Sequence, residues 1–137
     1  MIRSNFKIEE RPMSQNLFKI EDQVINMADT YITMVRGDTL SFGIELQDQY
    51  GNPIDIDGAV FVAKKNYNDV SAVFEKTLGN GITKLADGVY TVRVAPEDTA
   101  DNEAGRYYYG FRVIVDNDVF TLMRGVLELE PEVMSED

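Results

Sequence analysis

The 137-residue sequence contains no cysteine and no histidine. The first absence excludes disulfides, thiolate zinc sites and thiol nucleophiles. The second excludes Cys–His dyads and Ser-His-Asp triads. Catalysis would be left to carboxylates, Lys, Arg or Tyr, and no residue stands out as catalytic. No cofactor and no metal ion are expected. No run of about 18 apolar residues occurs, so no segment reads as a membrane-spanning helix. The N-terminus lacks the apolar stretch of a secretory leader after its first basic residue.

Charge of one sign is scarce. Lys and Arg number 13 against 24 Asp and Glu, a net charge of -11. Such a surface repels nucleic acid and anionic membranes, so neither is expected as a partner. The imbalance is uneven. Residues 1–28 balance Arg3, Lys7, Arg11 and Lys19 against Glu9, Glu10, Glu21 and Asp22, so the whole excess lies in residues 29–137. The first 28 residues are also apolar-rich without a clean period, and Pro12 interrupts them. They read as an arm with short extended pieces.

From residue 29 the apolar period is two. Leu40, Phe42, Ile44 and Leu46 alternate with polar residues or glycine, as do Tyr90, Val92 and Val94. Tyr107, Tyr109, Phe111, Val113 and Val115 share one face of a longer strand. Residues 59–63 are apolar on both faces. Turn residues separate these runs: Arg36-Gly37-Asp38, Asp48 to Pro53, Gly79-Asn80-Gly81, Asp87-Gly88 and Asp116-Asn117-Asp118. Pro96 opens one helical turn. Seven or eight short strands at this spacing predict an all-β sandwich or barrel. Residues 134–137 are an acidic tail.

The order Arg36-Gly37-Asp38-Thr39-Leu40-Ser41-Phe42, then Asp48 with Gly51-Asn52-Pro53-Ile54-Asp55-Ile56-Asp57-Gly58-Ala59, then Asp87-Gly88-Val89-Tyr90-Thr91-Val92, then Pro96-Glu97-Asp98-Thr99, then Ala104-Gly105-Arg106-Tyr107-Tyr108-Tyr109, resembles the immunoglobulin-like domain of bacteriophage baseplate and tail-fibre proteins. The nearest family is the N-terminal domain of the phage baseplate upper protein, over about residues 30–133. The resemblance implies an immunoglobulin-like β-sandwich of about seven to eight antiparallel strands over residues 29–133. It implies a structural, non-enzymatic role in a virion, tail or baseplate associated and assembled in the host cytoplasm. Partners would be other virion proteins, copies of itself, or both. The segment Glu97-Asp98-Thr99-Ala100 is similar to that before the F strand of immunoglobulin variable domains, and Tyr107 or Tyr109 would then make a tyrosine corner.

Other readings are weaker chemically. Arg36-Gly37-Asp38 matches an integrin-type tripeptide but reads as a turn. Asp48, Asp55, Asp57, Asp116 and Asp118 could meet around Ca²⁺, but they lack the EF-hand pattern. Water-exposed loop aspartates offer neither the fixed spacing nor the raised pKa of a glycosidase pair. On alternation Tyr108 alone of its triplet faces outward, too little for a sugar platform. Two features point to association. On residues 119–130, Phe120, Leu122 and Val126 are expected to oppose Met123, Leu127 and Leu129, leaving a second apolar face that needs cover. The apolar arm could add as a strand to a neighbour. The expected assembly residues are therefore Phe6, Ile8, Leu17, Phe18 and Ile20 in the arm, with Phe120, Leu122 and Val126. The alternative is an adhesin or carbohydrate-binding module that uses its loop ends.

Overall fold

A computed structural model describes residues 4–10, 16–21, 24–26 and 29–133, with side chains from 31 to 133. The arm carries β1 (Ser4–Glu10), β2 (Asn16–Glu21) and β3 (Val24–Asn26). Then follow β4 (Asp29–Val35), β5 (Leu40–Asp48), β6 (Gly58–Lys64), β7 (Phe74–Leu78), β8 (Gly81–Ala86) and β9 (Val89–Val94). A single helical turn, α1 (Pro96–Thr99), leads to β10 (Gly105–Val115) and β11 (Asp118–Glu130). The protein is all-β. Strands β4 to β11 form one mixed sheet in the order β5-β9-β8-β7-β6-β10-β11-β4, nearly closed into a barrel.

The period-two runs become strands because alternation puts every second side chain inside. Leu40, Phe42, Ile44 and Leu46 of β5 are buried, as are Tyr90, Val92 and Val94 of β9. Tyr107, Tyr109, Phe111, Val113 and Val115 of β10 face the same core. The centre is aromatic. Phe42 on β5 meets Phe61 on β6 edge-on at 5.4 Å and Phe111 on β10 at 6.1 Å. Phe61 lies 5.7 Å from each of Phe74, Tyr109 and Phe111. Offset and edge-to-face pairs of this kind add about 0.5–1.5 kcal/mol each beyond the burial of their area.

Two expectations about strand arrangement need correction. The sheet is not wholly antiparallel: β4 runs parallel to β11, from Arg124↔Asp29 to Glu130↔Val35. The turn at 36–38 does not close a hairpin between β4 and β5. It carries the chain across the core, so β4 stays on the β11 edge while β5 pairs with β9. Strands β7 and β8 also meet in parallel, over two residue pairs only. The second correction concerns β11. Phe120 and Leu122 were expected on an outward face with Val126. Both are instead buried in the core beside Met123, Leu127 and Leu129. The register with β10 slips between Phe111 and Arg112: Phe111 faces Met123 while Arg112 faces Thr121. The extra residue, Leu122, lets two consecutive side chains point inward, as a bulge does. Val126 alone of the three stays half-buried outside.

The arm strands extend the sheet beyond β5. Strand β1 pairs antiparallel with all of β5 except its first two residues, from Ser4↔Asp48 to Glu10↔Phe42. Strand β2 pairs with β1, Phe6 standing opposite Phe18 in the register, and β3 pairs with β2. The side chains of Phe6, Ile8, Leu17, Phe18 and Ile20 lie outside the described residues.

Two substitutions test this core. Leu122→Ala should cost about 2–5 kcal/mol in chemical denaturation, as a core leucine does and a surface one does not. Tyr90→Phe removes the hydroxyl that accepts the Ile56 N–H at 3.0 Å in the interior. Leaving that donor unpaired should cost about 1–3 kcal/mol by the same measurement.

Candidate functional site

The loop aspartates bind the chain itself. Asp48 accepts the N–H groups of Tyr50 and Asn52 at 2.8 and 2.9 Å, which is how the 48–53 turn is closed. Those bonds, Asn52's first, hold its carboxyl below the ordinary aspartate value. Asp55 accepts Lys84 Nζ at 2.9 Å and the Gly88 N–H at 2.8 Å. Gly88 has φ 73°, and a Cβ there would come within 2.7 Å of the Leu46 carbonyl oxygen, so the position demands glycine. Asp57 accepts the Asp116 N–H at 2.9 Å. Asp118 is exposed on the 116–118 turn. No three carboxylates gather among the described residues. Asp48, Asp55 and Asp57, weighed in the sequence as calcium ligands and read there as turn carboxylates, act as separate turn braces.

The 36–38 turn is likewise engaged. Arg36 donates through Nη2 to the Ala100 carbonyl at 2.8 Å, and its Nε lies 3.0 Å from Glu132. The Gly37 N–H donates to the buried Thr99 hydroxyl at 2.8 Å. The arginine of the tripeptide thus fastens the connection between β4 and β5 to the end of α1. At the other end of α1, Asp98 caps the turn through the Ala95 N–H at 2.7 Å and pairs with Lys76 at 2.7 Å. The Tyr107 hydroxyl donates to the Glu103 carbonyl at 2.7 Å, so the expected tyrosine corner forms at Tyr107. Burial raises the Tyr107 phenol above its ordinary value.

A groove of about 430 Å³ lies on the outer face of β6 and β10. Val60, Val62 and Gly110 form its floor, since these positions alternate with the buried Phe61, Tyr109 and Phe111. Tyr67, on the loop after β6, stacks on Tyr108 at 4.3 Å and an interplanar angle of 27°, making one wall. That loop is pinned by the Asn66 N–H on Asp69 Oδ2 at 3.1 Å. Lys64 and Arg112 also line the groove. In the register Lys64 faces Tyr108 and Arg112 faces Val60. The two cations are thus four strand positions apart, about 13 Å.

The sequence-predicted assembly residues are therefore not brought together. Phe120 and Leu122 are interior, Val126 lies opposite Tyr108 on the outer face, and the arm residues belong to strands beyond β5. Sequence reasoning identified Tyr108 as outward and residues 59–63 as apolar on both faces, but did not join them. The missed members are Tyr67 and Gly110. A glycine between Tyr109 and Phe111, in the interior of a strand rich in aromatic and β-branched residues, was the available signal.

The Asp55–Lys84 pair carries a pH test. Lys84 first, then the Gly88 N–H, holds the Asp55 carboxyl below its ordinary value, and Asp55 holds the Lys84 ammonium above its own. A lowered carboxyl contributes stability above its unfolded pKa, about 3.9, and loses it as pH falls through the folded value. A raised ammonium contributes below its unfolded pKa, about 10.4, and loses it as pH rises through the folded one. Asp55→Asn should lower Tm by a constant amount between about pH 5 and 9, with the deficit closing on acidification below about pH 4.

No family model matches the chain, and no curated protein matches it. Among solved structures, the endo-β-1,4-mannanase from Thermotoga petrophila aligns at 12% identity and a TM-score of 0.47. The alignment covers 77% of this chain and 18% of that one.

Proposed function

We propose that the chain is a non-enzymatic structural component of a bacteriophage or prophage particle, tail or baseplate associated. It has an immunoglobulin-like sandwich and works through contacts with other virion proteins or copies of itself. The single observation that carries the reading is the strand arrangement. Divided at the β7–β8 corner, the sheet gives β1-β5-β9-β8 and β7-β6-β10-β11-β4. The first follows the A-B-E-D order of an immunoglobulin domain, and β6-β10-β11 follows its C-F-G. The tyrosine corner of Tyr107, near the start of β10 after the helical turn α1, supports the same reading. The ring contacts of Phe61 with Phe42 and Tyr109 support it too, since an immunoglobulin-like domain without cysteine needs packing to join its sheets.

Assembly draws on the arm. Strand β1 lies along β5 through main-chain bonds over seven residue pairs, and any strand so held in its own domain can be exchanged for a neighbour's. The body's net charge resists indiscriminate clumping and leaves association to defined strands. The particle is built in the bacterial cytoplasm and carries the protein as part of the virion.

Light scattering on the intact chain and on a double variant, Phe6→Asp with Phe18→Asp, tests the reading. The intact chain should associate with itself or with co-expressed tail proteins, and the variant should be at least tenfold weaker. Monomers of both at high concentration, with no tail protein bound, would defeat it. A glycan-array signal lost on altering the loop ends would favour a carbohydrate-binding module instead.

A further inference from the structure

We propose that the outer face of β6 and β10 is a second interaction surface. It receives an extended acidic segment of a partner protein, with carboxylates four residues apart and an apolar side chain midway. This goes beyond assembly through the arm, because the arm strands join at β5, in the other layer.

Charge is the first observation. Residues 29–137 carry all of the -11, yet the outward positions of β6 and β10 hold no carboxylate: Lys64, Arg106 and Arg112 stand there with Val60, Val62 and Tyr108. Glu75 on β7 faces Val62 in the register but does not line the groove. Among the described residues, Arg36 pairs with Glu132, Lys76 with Asp98, and Lys84 with Asp55 and Asp87, whereas Lys65 lies over the Tyr107 ring and Arg93, on β9 far from the groove, forms no ion pair. Lys64 and Arg112 have none among the described residues. In a protein with this surplus of acid, two unpaired cations framing one groove are complementary to an anionic partner.

Gly110 is the second observation. It sits inside a central strand, where glycine weakens the sheet by about 0.5–1 kcal/mol relative to alanine. Its φ lies outside the left-handed region, and a Cβ there would meet nothing within 4 Å. Neither backbone conformation nor crowding requires glycine. What the missing side chain leaves is depth in the groove floor, the use of a strand glycine where another backbone or ligand approaches closely.

The spacing identifies the occupant. Lys64 and Arg112 are about 13 Å apart, and carboxylates at i and i+4 of an extended chain are separated by the same four residues at about 3.3 Å each. The side chain at i+2 then falls over Val62 and Gly110. The Tyr67–Tyr108 stack supplies the rigid, amphipathic wall favoured at protein interfaces.

The test is a titration of the intact ¹⁵N-labelled chain followed by NMR, with the blocked peptide Glu-Ser-Val-Ser-Glu and its counterpart Lys-Ser-Val-Ser-Lys. The acidic peptide should give saturable shifts at Gly110, Val62, Lys64 and Arg112 and bind at least tenfold tighter than the basic one. Gly110→Leu, which fills the floor, should weaken binding at least tenfold. So should Lys64→Gln combined with Arg112→Gln, which leaves the floor untouched. Equal binding of both peptides, or undiminished binding in the two variants, overturns the proposal. So does an oligogalacturonate that shifts these residues where the peptide does not, since the ligand is then a saccharide. Self-association abolished by Gly110→Leu also overturns it, since the occupant is then a second copy. Because the peptides are synthetic, their binding does not depend on whether the arm assembles.

Discussion

The contact of Phe42 with Phe61 and Phe111 joins the two halves of the sheet across the core. A chain without cysteine has no covalent staple to set the distance across the core of the sheet, so packing must set it. Large rings suit that task because each buries much area through few rotatable bonds. Fully burying a side chain of this size is worth about 1.5–3 kcal/mol. The surrounding structure follows from keeping the rings in register. The β11 bulge adds Leu122 to the same core, and Tyr90 spans from β9 to the Ile56 backbone, closing the end of the barrel near the 55–57 loop.

Electrostatics then operates at the periphery. Part of the acidic excess serves geometry: Asp48, Asp55, Asp57 and Asp98 each accept backbone N–H groups that a turn or helix start would otherwise leave unpaired. Carboxylates of this kind sit at the loop ends and strand crossings. The outer face of β6 and β10 is their complement, free of acid and edged with cations. A charge map of the molecule therefore has a direction, although its composition suggests only a uniformly anionic surface.

What could be read from the sequence follows from how local each feature is. Alternation is a property of adjacent residues, so β5, β9 and β10 and their buried faces were legible, as were the helical turn at Pro96 and the Tyr107 corner. The parallel pairing of β4 with β11 was not, because it depends on residues 36–38 crossing the core instead of turning back. The fate of Phe120 and Leu122 was lost to one inserted residue, since a single slip reverses every later side chain of a strand. The groove was invisible for a different reason. Its wall pairs a loop residue, Tyr67, with a strand residue 41 positions later, Tyr108, and no pattern within either segment announces that contact.

The two proposed surfaces, the edge of β5 and the outer face of β6 and β10, are of opposite kinds. Along β5, a neighbour's strand taking the place of β1 would be recognised through main-chain N–H and C=O groups, which are the same for any extended sequence. Selectivity there must come from register and from side chains on either side of the added strand. On β6 and β10 the main chain is already consumed on both sides, by β7 and β11. Only side chains remain to recognise anything, and they are few: two cations, a stacked tyrosine pair and the gap above Gly110. The first surface favours strength with little discrimination, and the second favours discrimination with little area. If both proposals hold, a small domain with one of each would be held firmly by one neighbour while sampling another, because neither surface shares a strand with the other.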